Sequence, residues 1–313
     1  MGSQGKKKKV KNSLILNAFV ILIILPVISE LLVIGGILKI SPNASLIELC
    51  FGKEPIEENF VEFLDVGQGD STLIKSENSV ALIDFGVEDD GAKIQKQLMK
   101  MGIKRINLAI ITHHHNDHMG GFLRVAEKIK VDRLVINNTT AEDGEQELFE
   151  EVIELAEKQN TELILPRSGQ RFEIGNAVLS ILDCNNSASK ENNRSVISML
   201  NICGKKFLFT GDCDGDAEYS LMQSCNVNCD VLKMGHHGSG SSSELDFLRL
   251  AQPEIAIASC GYDNLYKHPS EKSVERFYEL GIKIYRTDLD KTIRFTFEIS
   301  KNEYAVSTER GAA

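Results

Sequence analysis

Close pairs of C-x-x-C ligands, tandem repeats and a disorder-prone composition are all absent from this sequence, and each absence removes a class of protein. The cysteines number seven, at 50, 184, 203, 213, 225, 229 and 260, an odd and scattered set. A dense disulfide scaffold and a cysteine-held zinc site are therefore not expected. Cys203 and Cys260 lie in or at the end of apolar runs, as buried free thiols do. Only Cys225 and Cys229 are spaced for one bridge. The 42% hydrophobic content is ordinary for a globular protein. One sizeable domain with an N-terminal appendage accounts for 313 residues.

Basic charge is scarce once the first residues are set aside. Lys6, Lys7, Lys8, Lys9 and Lys11 stand together, and the rest of the chain carries 30 basic residues against 45 acidic ones. A broad phosphate-neutralising face for duplex DNA needs the opposite balance. Any nucleic-acid substrate is then gripped locally, by metal ions and a few lysines or arginines. An acidic surface also keeps an exported domain soluble.

The lysine cluster precedes an apolar stretch from about Asn12 to Leu38, interrupted by Pro26 and Glu30. A bilayer needs about 20 mostly apolar residues, so the expectation is a basic cytoplasmic tail over 1–12 and a transmembrane anchor over 13–38. A linker over 39–58 follows, with the remaining chain on the outer face by the positive-inside rule. A cleaved signal peptide fits less well, because its apolar core runs only about 7 to 15 residues. Lipidation at Cys50 lacks the small residues it would want in Leu46-Ile47-Glu48-Leu49.

Beyond Asn59 the chain alternates short strands with single helices. Strands are expected at 60–66, 71–75, 79–85, 107–112, 133–137 and 161–165, with helices at 91–101, 119–129 and 146–159. Strands at 171–174, 177–183, 195–203, 205–210, 230–234, 254–258, 283–286 and 292–299 follow, with helices at 214–224, 243–250 and 270–280. Strands outnumber helices, and a single layered α/β domain over 59–300 suffices, with a tail over 301–313.

All the histidines fall into three clusters, four of them in Ile111-Thr112-His113-His114-His115-Asn116-Asp117-His118 after an apolar run. Imidazole and carboxylate ligands suit zinc and neighbouring divalent metals. Side chains two apart in an extended segment point the same way, so His113 and His115 reach one ion, with His114 as spacer. Asp117 and His118, with His236 or His237, reach a second. Asp84, Asp212, His236 and His237 follow apolar strands, where a sheet presents a site, and His268 stands in Tyr266-Lys267-His268-Pro269. Two ions need a bridging carboxylate, and Asp212 is the candidate; such a pair activates a water and stabilises the leaving oxygen of a phosphoester. Lys233 reads as a strand residue or a phosphate contact. Gly238 to Ser243 reads as a linker or as a phosphate cradle at a helix start.

These motifs resemble, in order, those of the metallo-β-lactamase fold superfamily. Leu64-Asp65-Val66-Gly67-Gln68-Gly69-Asp70-Ser71, Phe209-Thr210-Gly211-Asp212 and Val231-Leu232-Lys233-Met234-Gly235-His236-His237-Gly238-Ser239 are similar to the soluble domain of ComEC-type competence proteins. The resemblance covers about Asn59 to Ile299. It implies an αββα sandwich, two divalent ions, zinc or manganese, and a hydrolase. In the ComEC branch it implies a nuclease acting on DNA, with a metal-bound hydroxide attacking phosphorus. Metal ligands are then His113, His115, Asp117, His118, Asp212 and His236 or His237, with Asp117 and Asp212 in the chemistry, His268 as general acid or a plain loop histidine, and Asp70, Asp84 and Asn193 supporting. The chain departs from the superfamily in having no histidine from Met119 to Gly235, where a further ligand to the first metal is usual. Asn192 or Asn193 stands roughly at that point. One helix is no transport channel, so an uptake channel would be a separate, unidentified partner. The alternatives are a hydrolase of a small or cell-wall phosphoester, which an acidic surface tolerates better, and a non-catalytic module that keeps metal for stability.

Overall fold

Alternating side chains on short strands give two sheets whose inner faces make a common core. The computed structural model describes residues 58–142, 144–298 and 303–312; the basic tail, the anchor and nearly all of the linker lie outside the described residues. Among those described, no helix is long and apolar enough to cross a membrane.

The first sheet is assembled from β1 (Asn59–Phe63), β2 (Thr72–Ser76), β3 (Ser79–Ile83), β5 (Leu108–Ile110), β7 (Arg133–Val135) and β8 (Glu162–Ile164), with the two-residue strands β4 (Arg105–Ile106) and β6 (Lys130–Val131) paired separately. The second holds β9 (Arg171–Ile174), β10 (Ala177–Asp183), β11 (Ile197–Ile202), β12 (Lys205–Phe209), β13 (Val231–Lys233), β14 (Ile255–Ala258) and β15 (Lys283–Arg286). The chain then returns to the first sheet as β16 (Ile293–Glu298), which lies antiparallel to β1.

Val61, Phe63, Ile74 and Ile110 of one sheet meet Leu179, Leu200, Phe207, Phe209 and Ile257 of the other, all buried. Alternate residues of the second sheet, Leu208, Leu232, Ala256 and Ala258, face outward onto Leu221, Phe247 and Phe277. Those three come from helices Gly215–Ser224, Leu245–Ala251 and Glu271–Glu279. On the first sheet, helices Glu88–Lys100 and Phe122–Ala126 bury Ile94, Leu98, Phe122 and Val125. Helices thus flank both sheets, the αββα order expected, and strands covered on both faces carry continuous apolar runs.

Two differences from the sequence expectation have local causes. The helix expected over 119–129 is two short ones, Asn116–Met119 and Phe122–Ala126. Between them a side chain on Gly121 would lie 2.0 Å from the Phe85 carbonyl oxygen, so the chain presses onto the first sheet where a regular helix would not fit. The tail expected over 301–313 contains β17 (Glu303–Thr308), paired antiparallel with β16, and β18 (Gly311–Ala312). In β17 only Tyr304 and Val306 pack on the core, and the exposed Glu303, Ala305 and Ser307 that alternate with them mask the strand. Cys225 and Cys229 are free thiols rather than a bridge.

Parallel pairing sets where chemistry can occur. β3, β5 and β7 run parallel in one sheet, and β12, β13 and β14 in the other. Their C-terminal ends open at one edge, the place where open α/β sheets present ligands.

Candidate metal centre

Asp84 leaves the end of β3 with φ +59, a left-handed conformation that turns its carboxylate back into the protein. One carboxylate oxygen accepts from the Thr112 backbone N–H at 2.8 Å, and the other from the Thr112 hydroxyl at 2.8 Å. That second oxygen also lies 2.8 Å from Nδ1 of His118. Thr112 is thereby pulled out of β5, and the histidine segment begins from a fixed point. His115 caps helix Asn116–Met119 in an extended conformation, and the turn carries Asp117 and His118 toward the opposite sheet.

From that sheet, Gly211 follows β12 with φ +54, and a side chain there would lie 2.6 Å from the Ser195 hydroxyl. The Asp212 N–H donates to the same hydroxyl at 3.1 Å. After β13, His236 (φ 49, ψ 52) and His237 (φ 55, ψ 19) are both left-handed, an unusual pair of non-glycine residues that the surroundings must enforce. His237 is buried, its Nδ1 3.0 Å from the Ser259 carbonyl.

The atoms converge. Nε2 of His118 lies 3.3 Å from Asp212 Oδ1, and Nε2 of His237 lies 3.4 Å from Asp212 Oδ2 and 3.1 Å from Asp117 Oδ2. Nε2 of His113 is 3.0 Å from Nδ1 of His115. His113, His118 and Asp212 each offer one donor atom within 4.8 Å of the others, as do Asp117, His118 and His237.

The residues fit divalent cations on three grounds. The Nδ1 protons of His118 and His237 face oxygens that only accept, which leaves each Nε2 as a lone pair in the neutral ring. Buried His118 Nε2, Asp212 Oδ1 and Asp70 Oδ1 have no hydrogen-bond partner. And Asp70, Asp84, Asp117 and Asp212 bring four carboxylates together against a single buried ammonium, Lys233. Burial alone would depress the imidazolium form of His118 and His237. Asp212, with Asp84 and Asp117 at His118 and with Asp70 at His237, outweighs it and pushes both rings well above the ordinary range. Burial likewise opposes ionisation of Asp212, yet His237 and His118 hold it well below its usual value. Asp117 is held at about 2 by His118 and His237 against the same burial. The cluster is built to be met by positive charge.

Sequence reasoning left Lys233 as a strand residue or a phosphate contact; it is neither exposed nor free. Lying in register with Val231, which packs between the sheets, it reaches the end of that layer and pairs with Asp70 at 2.5 Å. Burial would raise the Asp70 carboxyl, but Lys233 and His237 outweigh it and hold it at about 2. Asp70 therefore stands behind His237, whose Nδ1 is 3.5 Å away.

Asn193 donates to Asp214 and accepts from its backbone N–H, at 2.8 and 2.9 Å, bracing a loop. Its neighbour Asn192 is the one turned to the centre: its amide nitrogen is 3.4 Å from His236 Nδ1, and its buried oxygen has no hydrogen-bond partner. His236 is more open than His237, with Nε2 3.7 Å from Asp212 Oδ2. His114 points away, its Nε2 3.1 Å from the Asn137 carbonyl. The Gly238–Ser243 stretch spends its donors internally: the Ser242 hydroxyl on the Cys213 carbonyl, the Ser243 N–H on Glu218.

A cleft of about 510 Å³ opens over the centre, lined by Gln68, His115, Asp117, Asp212, His236, His237, Tyr266 and His268 among others. The His268 ring centroid is 5.3 Å from that of His236. Burial, together with His236 and His237, lowers its imidazolium to about 4. The roles of Tyr266 and Gln68 as cleft walls, of Lys233 as the partner of Asp70 and of the Ser259 carbonyl as the partner of His237 were not expected from the sequence, although Gln68, Lys233 and Tyr266 stand within motifs that marked the site.

Residues 64–175 match the family described as the Metallo-beta-lactamase superfamily. ComE operon protein 3 of Bacillus subtilis is 29% identical over 300 residues, which is 89% of this chain and 38% of that protein. Competence protein ComA of Neisseria gonorrhoeae is 33% identical over 248 residues, 77% of this chain and 33% of its own length. The chain spans about a third of the length of these relatives. Among solved structures, CmlA, a diiron beta-hydroxylase from Streptomyces venezuelae, superposes with a TM-score of 0.52 at 14% identity, over 79% of this chain and 55% of that one. The metallo-beta-lactamase fold protein YhfI of Bacillus subtilis gives 0.50 at 12%, over 73% of this chain and 96% of its own. At such identities the likeness concerns the fold alone.

Proposed function

Since the chain carries a domain of the metallo-beta-lactamase superfamily and is similar to competence proteins, we propose that it is a metal-dependent phosphodiesterase that hydrolyses DNA. The observation that carries this reading is the convergence of His118 Nε2 and His237 Nε2 on the two oxygens of Asp212. Asp117, His118, His237 and Asp212 would hold one divalent ion, and His113 and His115, sharing Asp212, a second. Bound there, such ions supply Lewis-acid polarisation of a phosphoryl oxygen and nucleophilic water at neutral pH.

The remaining roles belong to the protein. Asp84 fixes the ring of His118 through Nδ1, and the Ser259 carbonyl fixes that of His237. Ser195 holds the backbone of Asp212 so that its carboxylate lies between the two histidines. His268 lines the cleft beside His236, and we assign its ring to hydrogen-bond the leaving oxygen of the phosphodiester. The same reading sets the domain outside the cell, anchored through 13–38; the lysines ahead of that stretch support it.

The test is to incubate the full chain with single-stranded DNA, duplex DNA and a chromogenic phosphodiester, in Zn²⁺, Mn²⁺ or chelator. DNA cleavage that needs metal and disappears in Asp212→Ala is the expected result. Turnover of the small ester alone would redirect the assignment to a small or cell-wall phosphoester. Metal binding without turnover of any substrate would overturn it in favour of a binding module. Protease added to intact cells should remove the domain, and protection would refute the outward orientation.

A further inference from the structure

The cleft over the centre has a gap in its chemistry. Among the described residues lining it there is neither lysine nor arginine, and Asp117, Glu145 and Asp212 make its walls acidic. A polyanionic strand entering it is not held by side-chain charge. What the cleft wall offers instead is Tyr266, on the loop between β14 and helix Glu271–Glu279, which carries further exposed aromatic and apolar side chains. Tyr262 is 76% exposed, Leu265 94% and Tyr266 69%, three large apolar side chains within five residues.

This loop is braced. The Asn264 side chain donates to the Gly261 carbonyl at 2.8 Å and to the His268 carbonyl, and accepts from the His268 N–H at 2.9 Å. The Gly261 N–H donates to Gln68, which itself lines the cleft. A single asparagine thus closes the loop on itself and a glutamine ties it to the opposite sheet, so its rings are presented without the ordering cost of a mobile segment.

The rings are also arranged in series. Tyr266 and His268 stack with centroids 5.7 Å apart and planes 24° apart, and His268 and His237 follow at 6.3 Å and 28°. Three nearly parallel rings run from solvent to the proposed metal centre, and the outermost is mostly uncovered.

We propose that this rim is a stacking platform for unpaired nucleobases, with Tyr266 receiving the base beside the phosphodiester in the cleft, so that the substrate is single-stranded nucleic acid. The inference rests on the phosphodiesterase reading and narrows its substrate. Only an unstacked base can cover an exposed ring, whereas in a duplex each face is already occupied by its neighbour. A duplex would also need the basic surface that this domain lacks.

The experiment measures binding of the full chain to a labelled twelve-nucleotide oligothymidylate and to an abasic strand of the same length, by fluorescence anisotropy in chelator, and cleavage of both in Mn²⁺. The wild type should prefer the base-bearing strand by about tenfold or more. Tyr266→Ala should bring that ratio toward one and Tyr266→Phe should keep it. Because stacking is not ionic, the ratio should persist as salt rises. Equal binding of the two strands by the wild type, or a ratio unchanged in both Tyr266→Ala and Tyr262→Ala, overturns the platform. Cleavage of both strands alike overturns it while keeping the phosphodiesterase, and base-dependent binding without cleavage keeps the platform and overturns the phosphodiesterase.

Discussion

The two halves of the centre are unequally furnished. In one, Asp117, His118 and His237 each bring a donor atom within 4.8 Å of the others, Asp212 lies against both histidines, and each histidine has its second nitrogen committed, to Asp84 or to the Ser259 carbonyl. The buried Lys233–Asp70 pair stands behind them. In the other, His113 offers its donor atom beside those of His118 and Asp212, His115 lies 3.0 Å from His113, and the outward nitrogen of His115 faces the half-exposed Glu142 at 3.7 Å. Asn192, 3.4 Å from His236 and with its buried oxygen unpartnered, is our candidate for a third ligand to that half, and an amide oxygen is a weaker donor than an imidazole. A preorganised half is expected to hold an ion persistently, because its ligands would lose little freedom on binding. The sparse half is expected to exchange its ion and to fill fully only at high metal or with substrate.

Asp212 belongs to both halves, so removing it should do the most. Asp212→Ala is expected to lower kcat/KM at least about a thousandfold and to abolish tight metal uptake in calorimetry. If one ion still bound with wild-type affinity, Asp212 would not be shared. Next in size is the contrast between His118→Ala and His115→Ala. The first strikes the furnished half and should cost roughly a hundredfold or more in metal affinity. The second should cost about tenfold, and excess Mn²⁺ should restore turnover. Equal losses in the two variants would erase the asymmetry.

The ligands of both halves were legible in the sequence, for a physical reason. His113, His115, Asp117 and His118 are neighbours in the chain, and Asp84, Asp212 and His237 end apolar strands, so both signals are local. Lys233 was not legible. Its partner Asp70 comes from the opposite sheet, and a lysine at the end of Val231-Leu232-Lys233 gives no sign that it faces inward. Which asparagine faces the centre was equally hidden, since one residue of rotation in the 3-10 turn Glu191–Arg194 exchanges Asn192 for Asn193. The fold followed the same rule. Strands with apolar faces were visible, whereas β17, alternating Tyr304 and Val306 with exposed Glu303, Ala305 and Ser307, read as a tail.

Smaller changes sharpen the comparison. Asp84→Asn keeps the shape but weakens the acceptor for His118 Nδ1, and the loss of a histidine's supporting carboxylate typically costs 10- to 100-fold in affinity or activity. The expected reading is toward the lower end, about tenfold, seen in the furnished half only. Asn192→His supplies the missing imidazole. It should strengthen Zn²⁺ binding in the sparse half by about tenfold, and unchanged zinc stoichiometry and affinity at two metal concentrations would show that position 192 does not face that ion.

The smallest effect on the centre is expected from a group outside both halves, which matters because pH can imitate a difference between them. Glu218 is buried and accepts from the Ser243 and Glu244 backbone N–H groups. Burial pushes its carboxyl up to about 7, the two N–H bonds only partly offsetting it. Its folded value is therefore raised, and between pH ~4.5 and ~7 the folded state keeps a proton that the unfolded chain has released. Stability from this group is greatest at the acid end and falls as pH rises through that window, by at most about 3 kcal/mol, then levels off above it. Glu218→Gln should flatten this part of the profile in urea unfolding measured from pH 5 to 8 in chelator. The variant loses one acceptor and some stability at every pH, so the slope rather than the midpoint is the readout. A slope identical to the wild type would return the pH dependence to the histidines and carboxylates of the centre, and with it the comparison of the two halves at any single pH.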